Sequence, residues 1–218
     1  LVRSRGLGDV YKRQLMEEQL VDEKRMGLLD HLEELRRRLL AAIAATFICA
    51  IIGYALVPLV LKALSKPVGQ LIFLSPPEAF ITRVKIALMV GIFLALPIIF
   101  YQFWQFVAPG LLKRERRYVF PTALSSTIFF LLGAALAYFV VLPIAIKFFL
   151  SFETEGLRAM FSLERYVGFA SKLLLAFGLV FQLPVVSFFL TKMGVITPDF
   201  LRKRWRVAVV LIFIAAGL

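Results

Sequence analysis

Residues 86–112 read IALMVGIFLALPIIFYQFWQFVAPGLL, a run of 27 residues without a single Asp, Glu, Lys or Arg. An α-helix needs roughly 20 residues to cross the hydrocarbon core of a bilayer, which is about 30 Å thick. This stretch is therefore long enough and apolar enough to form a membrane-spanning helix. It decides the fold class, because a soluble domain of this size could not bury such a surface.

Three further uncharged windows follow the same pattern: residues 39–61, 118–146 and 173–191, with 23, 29 and 19 residues. A last apolar run after Arg206 has only 12 residues before the sequence stops. We predict an all-α, polytopic transmembrane bundle with these approximate spans: 39–61, 80–107, 120–143, 166–190 and an incomplete 206–218.

The composition excludes several classes of protein. The hydrophobic fraction of the 218 residues is 61%, against about 45–50% in soluble domains. The single Cys49 and the single His31 exclude a disulfide framework, a cysteine zinc site and a histidine metal cluster. Because the sequence also lacks a phosphate-binding glycine loop, we expect no cofactor, no metal and no enzymatic activity.

The N-terminal part divides into two predicted segments ahead of the transmembrane domain, 39–218. Residues 1–14 match nothing that follows and are predicted to be a non-native or disordered leader. Residues 15–38 are predicted to be a cytoplasmic segment with an amphipathic helix at the membrane surface. That helix is indicated by leucines at helical spacing and by acid-to-base pairs four residues apart: Leu28, Leu32, Leu35, Leu39, Glu33/Arg37 and Glu34/Arg38.

The net charge of +12 points to lipid rather than to nucleic acid, because the cations lie between apolar runs. The densest Lys and Arg clusters lie at 36–38, 113–117 and 192–206, in segments that alternate spans place on one side. Short loops rich in Lys and Arg stay in the cytoplasm. We therefore predict a cytoplasmic N-terminus.

Polar and small residues within the spans leave two interpretations open. Gln182 lies in the fourth span, where an unpaired amide is costly, so it forms either an internal helix–helix hydrogen bond or a contact with a partner helix. Gly133 and Ala137 favour close helix packing. The aromatic residues of 100–106 form either an interfacial belt or an apolar shelf for a substrate.

Two carboxylates stand among basic residues on the predicted cytoplasmic face: Glu34 beside residues 36–38, and Glu115 within residues 113–117. Each could form a solvated ion pair, worth about 0–1 kcal/mol. Alternatively, the two could converge to accept guanidinium groups from a cationic partner, since paired carboxylate–Arg contacts distinguish Arg from Lys. The second interpretation requires the neighbouring basic side chains to point elsewhere.

Several motifs resemble the TatC family. Residues 31–39, HLEELRRRL, resemble its HLxELRxRL opening, and residues 97–111, PIIFYQFWQFVAPGL, resemble its P-x-x-x-Y-Q-x-W-x-F-x-x-P-x-L segment. Residues 115–117 resemble the H-E-R/K-R that follows, with Arg114 in place of His. Further similar stretches are AYFVVLP at 137–143, AFGLVFQLP at 176–184 and GVITP at 194–198.

The resemblance implies a concave, glove-like fold of six spans, of which the last one or two are missing or truncated here. It implies a receptor or core subunit of the twin-arginine translocase, which exports folded precursors bearing Arg-Arg signal peptides, driven by the proton motive force. Implied partners are TatA- and TatB-type single-span proteins, membrane lipids and further copies of the chain, without nucleic acid. The implied location is the bacterial, archaeal or organellar cytoplasmic membrane.

The same resemblance implies roles for individual residues. Glu34 and Glu115 would bind the twin arginines, with Arg36 and Phe106 supporting that site. Pro67 would lie in the first extracytoplasmic loop, and Gln182 would occupy a polar position in span four. Many relatives carry Glu there, and because Gln does not titrate, no proton-relay role is expected. The alternative function is a polytopic secondary transporter, which would require charged groups inside the spans.

Overall fold

The computed structural model of the chain describes residues 3–108, 116–154, 156 and 159–192. Two-residue strands, β1 (Leu71–Ile72) and β2 (Phe161–Ser162), pair in parallel. Glu115 and the predicted fifth span, 206–218, lie outside the described residues. The helical elements are α1 Arg3–Ser65, α2 Pro76–Val107, a 3₁₀ turn Arg116–Tyr118, α3 Val119–Leu136, a π-helical turn Ala137–Val141, α4 Leu142–Leu150, α5 Leu163–Val180 and α6 Leu183–Lys192.

Four segments of the described chain are long and apolar enough to cross a membrane: Leu29–Ser65, Pro76–Val107, Val119–Leu150 and Leu163–Thr191. They confirm the predicted all-α, polytopic class. Successive spans alternate in direction, so α2 ends at the "Glu34 end" of the bundle, beside Glu34. The opposite "loop end" holds the α1–α2 and α4–α5 connections. Helix α1 has no break between residues 38 and 39, and the predicted division into leader, N-terminal segment and transmembrane domain stays a prediction.

The prolines inside the spans have three different structural consequences. Pro58 and Pro97 lie within uninterrupted α-helix. The π-helical turn Ala137–Val141 directly precedes α4, whose second residue is Pro143. A proline lacks an N–H and its ring clashes with the carbonyl four residues earlier, and a π-helical turn relieves that clash by widening the helix. Pro184 instead follows a complete break in the fourth span, at the start of α6.

The C-terminal end of α1 illustrates how backbone groups are satisfied at the loop end. The last four carbonyls of a helix have no partner within the helix. Two of them accept hydrogen bonds from distant tyrosines: Ala63 from the Tyr138 hydroxyl at 2.8 Å, and Leu64 from the Tyr166 hydroxyl at 2.6 Å. The other two are satisfied locally, Lys62 by the Ser65 hydroxyl and Ser65 by the N–H groups of Val68 and Gly69.

The buried carboxylate of Glu78 joins the two connections at the loop end. Its side chain is 4% exposed and accepts hydrogen bonds from Leu74 N at 2.6 Å, Ser162 Oγ at 2.6 Å and Glu164 N at 3.0 Å. A neighbouring Lys85–Glu164 ion pair is exposed. The carboxylate therefore fixes the start of α2 against the start of α5, next to the β1–β2 pairing.

Replacing Glu78 should loosen the loop end more than replacing its exposed neighbour. Glu78→Ala leaves three donors without an acceptor in a buried position, which is costly, whereas Glu164→Ala removes only a solvated ion pair. We expect the drop in thermal unfolding temperature in detergent to be roughly twofold larger or more for Glu78→Ala. Equal drops in the two variants would contradict this role for Glu78.

Helices α3 and α5 approach each other through glycines. A Cβ added to Gly133 would lie 2.5 Å from the Phe177 carbonyl oxygen, and one added to Gly178 would lie 2.6 Å from the Phe130 ring. Ala137, one turn from Gly133, is fully buried. The predicted close packing through small residues is confirmed, and it is internal to the chain.

Gly133→Ala should destabilise the protein, while Gly168→Ala should not. At Gly133 the added methyl group meets backbone, which cannot move aside, so we expect a loss of about 1–3 kcal/mol. At Gly168, in α5, nothing lies within 4 Å of an added Cβ, so helix propensity favours Ala by a few tenths to about 1 kcal/mol. Thermal unfolding in detergent measures both, and a stable Gly133→Ala variant would show that α3 and α5 are farther apart.

Candidate functional site at the Glu34 end

Glu34 forms an ion pair with Arg38 that also reaches helix α2. The Glu34 Oε1 atom accepts hydrogen bonds from Arg38 Nη2 at 2.7 Å and from Arg38 Nε at 2.9 Å. Arg38 Nη1 donates to Gln102 Oε1 at 3.2 Å. The two ionic side chains are only about one-fifth exposed. The pair is therefore partly shielded from solvent and links α1 to α2, unlike a freely solvated pair.

Helical geometry explains why these groups meet. Residues 31, 34 and 38 lie on one face of α1, because three- and four-residue steps bring side chains to the same side of a helix. Gln102 and Phe106 are likewise one turn apart on α2. The His31 ring stacks on the Phe106 ring with 4.3 Å between centroids and 15° between planes. Glu34 thus lies between two contacts that hold α1 against the end of α2.

The arrangement leaves part of the Glu34 carboxylate available. Both bonds from Arg38 go to Oε1, and no described residue donates a hydrogen bond to Oε2. A carboxylate offers about four lone-pair positions on its two oxygens. An additional donor can therefore bind at Oε2 while Arg38 keeps the carboxylate in place.

Arg36 is not brought to Glu34. Two residues along a helix are about 200° apart around its axis, so Arg36 points away from the face that carries Glu34. It forms instead an exposed ion pair with Glu33 at 3.6 Å, with each side chain 71% exposed. Of the two pairs predicted at four-residue spacing, Glu34/Arg38 is confirmed, while Glu33 pairs with Arg36 rather than with Arg37.

The remaining predicted site residues lie apart from Glu34. Pro67 lies at the loop end, in the half-buried turn that follows α1. Nearby Gly69 adopts a φ of +81°, a conformation that glycine reaches without strain. Within the aromatic cluster of 100–106, Trp104 is 3% exposed and belongs to the protein core, whereas Phe103 is half exposed.

Gln182 has an internal partner. It lies at the break between α5 and α6, and its Nε2 donates to the Ser126 carbonyl oxygen at 3.0 Å. The Ser126 hydroxyl in turn accepts a hydrogen bond from Trp104 Nε1 at 2.9 Å. This network joins α2, α3 and the fourth span. The helix–helix hydrogen bond that the sequence left as one of two alternatives is present, and a contact with a partner helix stays a prediction.

Gln182→Leu should lower the stability of the protein by about 0.6–1.7 kcal/mol, the measured range for interhelical hydrogen bonds in membranes. A suitable control is Gln105→Leu, because among the described residues Gln105 donates only to the Tyr101 hydroxyl, within its own helix. Thermal unfolding in detergent compares the two variants. If both behaved like the wild type, the hydrogen bond to Ser126 would add nothing to stability.

Sequence reasoning missed two members of the site. It predicted the Glu34/Arg38 pair without counting Arg38 among the site residues, and it gave His31 no role, although 31, 34 and 38 share a helix face. Helical spacing was the available signal, but only the neighbouring helix shows that this face is the packed one. Among the described residues, no group of three His, Cys, Asp or Glu side chains could hold a metal ion.

Comparison with known proteins gives concordant results. Residues 30–218 match the model of the TatC family, described as Sec-independent protein translocase protein. The TatC of Desulforapulum autotrophicum is 40% identical over 204 residues, covering 90% of this chain and 76% of the relative. The TatC of Aquifex aeolicus is 39% identical over 201 residues, covering 88% and 84%.

The fold is also that of solved structures. A crystal structure of the twin-arginine translocase receptor TatC in DDM superposes with a TM-score of 0.75 at 40% identity, covering 84% of this chain and 85% of that one. A second crystal structure of the receptor gives a TM-score of 0.74, also at 40% identity.

The spans and their polar helix-end contacts define a multi-pass α-helical membrane protein. The matches in sequence and in fold extend over most of the chain and of its relatives. The chain belongs to the TatC family of protein translocase components.

Proposed function

We propose that the chain is the receptor or core subunit of a twin-arginine translocase, which binds Arg-Arg signal peptides of folded precursors. Export would cross the cytoplasmic membrane and be driven by the proton motive force. The observation that carries the proposal is the shielded Glu34 carboxylate, held by Arg38, with no described residue donating to Oε2. Membership of the TatC family supports it, as does the similarity to crystal structures of the twin-arginine translocase receptor.

Glu34 would bind an incoming arginine in one of two ways. A guanidinium could donate to Oε2 while Arg38 stays on Oε1, or it could displace Arg38 entirely. Displacement is feasible because Arg38 retains Gln102 as a hydrogen-bond partner. A planar guanidinium has several donors in a fixed arrangement, which a lysine ammonium cannot reproduce. The site would therefore select Arg over Lys.

Glu115 would supply the second carboxylate. It directly precedes the described 3₁₀ turn Arg116–Tyr118, and the α2–α3 connection belongs to the same end of the bundle as Glu34. Phe106 would provide an apolar surface next to the arginine site, since it is half-buried and fixed by His31. Arg36 would support the site from the opposite face of α1, where its charge does not compete for Glu34.

Orientation and partners complete the proposal. The Lys and Arg clusters favour a cytoplasmic Glu34 end, which would place Pro67 in an extracytoplasmic loop. TatA- and TatB-type single-span proteins and further copies of the chain would assemble around the receptor. Gln182 would stabilise the packing of the fourth span against α3 from within, through Ser126. The chain would guide its cargo without catalysing a reaction or binding a cofactor.

The decisive measurement is equilibrium binding of a labelled Arg-Arg signal peptide to the purified protein, alongside the same peptide with Lys-Lys. Because the Lys-Lys peptide has the same net charge, it controls for attraction to lipid and detergent. We expect Glu34→Ala to weaken Arg-Arg binding about 10- to 100-fold, as for loss of a charged hydrogen bond. The Glu34→Ala/Glu115→Ala double variant should bind both peptides equally weakly.

Glu33→Ala is the matched control, since it removes an adjacent, exposed carboxylate and should leave binding unchanged. If Glu33→Ala and Glu34→Ala weakened Arg-Arg peptide binding equally, the effect of Glu34 would be general electrostatic attraction and not a specific contact. Unchanged binding in the Glu34→Ala variant would remove Glu34 from the site.

A further inference from the structure

A groove at the loop end lies between the last turns of α1 and the first turns of α2. Its volume is about 390 Å³. One wall is apolar and the rim carries two cations. The residues that define it are Tyr54, Val57, Pro58, Leu61, Lys62 and Arg83.

The two cations have no anionic partner in the described part of the chain. Neither the Lys62 ammonium nor the Arg83 guanidinium takes part in a hydrogen bond or ion pair there, and both side chains are exposed. Lys85, two residues from Arg83, shows the contrast, because it is paired with Glu164. Two positive charges therefore face a single groove, and no anionic side chain among the described residues compensates them.

The register of α1 and α2 brings the two cations to the same groove. Helices α1 and α2 run antiparallel, with Gly91 against Ala50 and Val90 against Gly53. That register places Arg83 near the level of Pro58, seven residues from the start of α2 and so about 10 Å inside the helix end. The two helices therefore each contribute one cation to the groove, Lys62 from α1 and Arg83 from α2.

We propose that this groove binds one anionic phospholipid. The headgroup phosphate would lie between Lys62 and Arg83, both of which donate charged hydrogen bonds to phosphate oxygens. An acyl chain would lie along Val57, Pro58 and Leu61. The apolar wall favours a lipid over free phosphate, because it continues from the cations toward the membrane interior. The site is separate from the Glu34 end and does not depend on signal-peptide binding.

Native mass spectrometry of the full chain in mild detergent tests the site, with phosphatidylglycerol as the added lipid. The Lys62→Gln/Arg83→Gln variant should bind the lipid about tenfold more weakly than the wild type, or weaker. The matched control is Lys147→Gln/Arg165→Gln, which removes one exposed Lys and one exposed Arg at the same end of the bundle. It should bind as the wild type does, and so should the charge-preserving Lys62→Arg/Arg83→Lys variant.

Equal losses in the two Gln variants would overturn the proposal in favour of non-specific attraction. Displacement of the lipid by millimolar inorganic phosphate would also overturn it, since the ligand would then be a free anion. Equal binding of uncharged diacylglycerol would show that the cations play no part. Photo-crosslinking of a photoactivatable phosphatidylglycerol to the wild type provides a readout without variants. Labelling within 54–62 and near Arg83 supports the site, and labelling confined to other segments contradicts it.

Discussion

The hydrocarbon core of a bilayer offers a polypeptide no hydrogen-bond partners, and this constraint governs the whole structure. At the end of α1 and beside the turn in the fourth span, the freed groups find partners within the described part of the chain. Tyr138 and Tyr166 bind the last carbonyls of α1, and Gln182 binds the Ser126 carbonyl beside the break in the fourth span. The contacts that satisfy the backbone are also the contacts that hold the spans together.

The same constraint gives the two ends of the bundle different properties. At the loop end, Glu78 is buried and both oxygens of its carboxylate accept hydrogen bonds, from three donors in all, which suits a fixed structural element. At the Glu34 end, the carboxylate is partly exposed and one oxygen has no donor among the described residues. Two carboxylates of the same chemical type therefore differ in exposure and in how many described groups donate hydrogen bonds to them.

The position of Arg38 bears on a question that the sequence left open: whether the cations beside Glu34 would repel a cationic ligand. Nearby cations should repel a cationic ligand unless they point elsewhere. Arg36 does point elsewhere, since it pairs with Glu33 on another face. Arg38 does not, but it uses only one carboxylate oxygen and has Gln102 as a second partner. In the proposed function, the resident arginine would orient the carboxylate and share it with an incoming guanidinium.

Sequence alone determined the membrane class, the four described spans and one ion pair, because each depends on composition or on spacing within one helix. The Glu34/Arg38 pair is a case of such spacing. Tertiary structure decided the rest, because it depends on which helix faces meet. Arg38 contacts Gln102 across 64 residues of sequence, and Gln182 contacts Ser126 across 56. The Lys62–Arg83 groove likewise exists only because α1 and α2 pack antiparallel in one register, which no local pattern specifies.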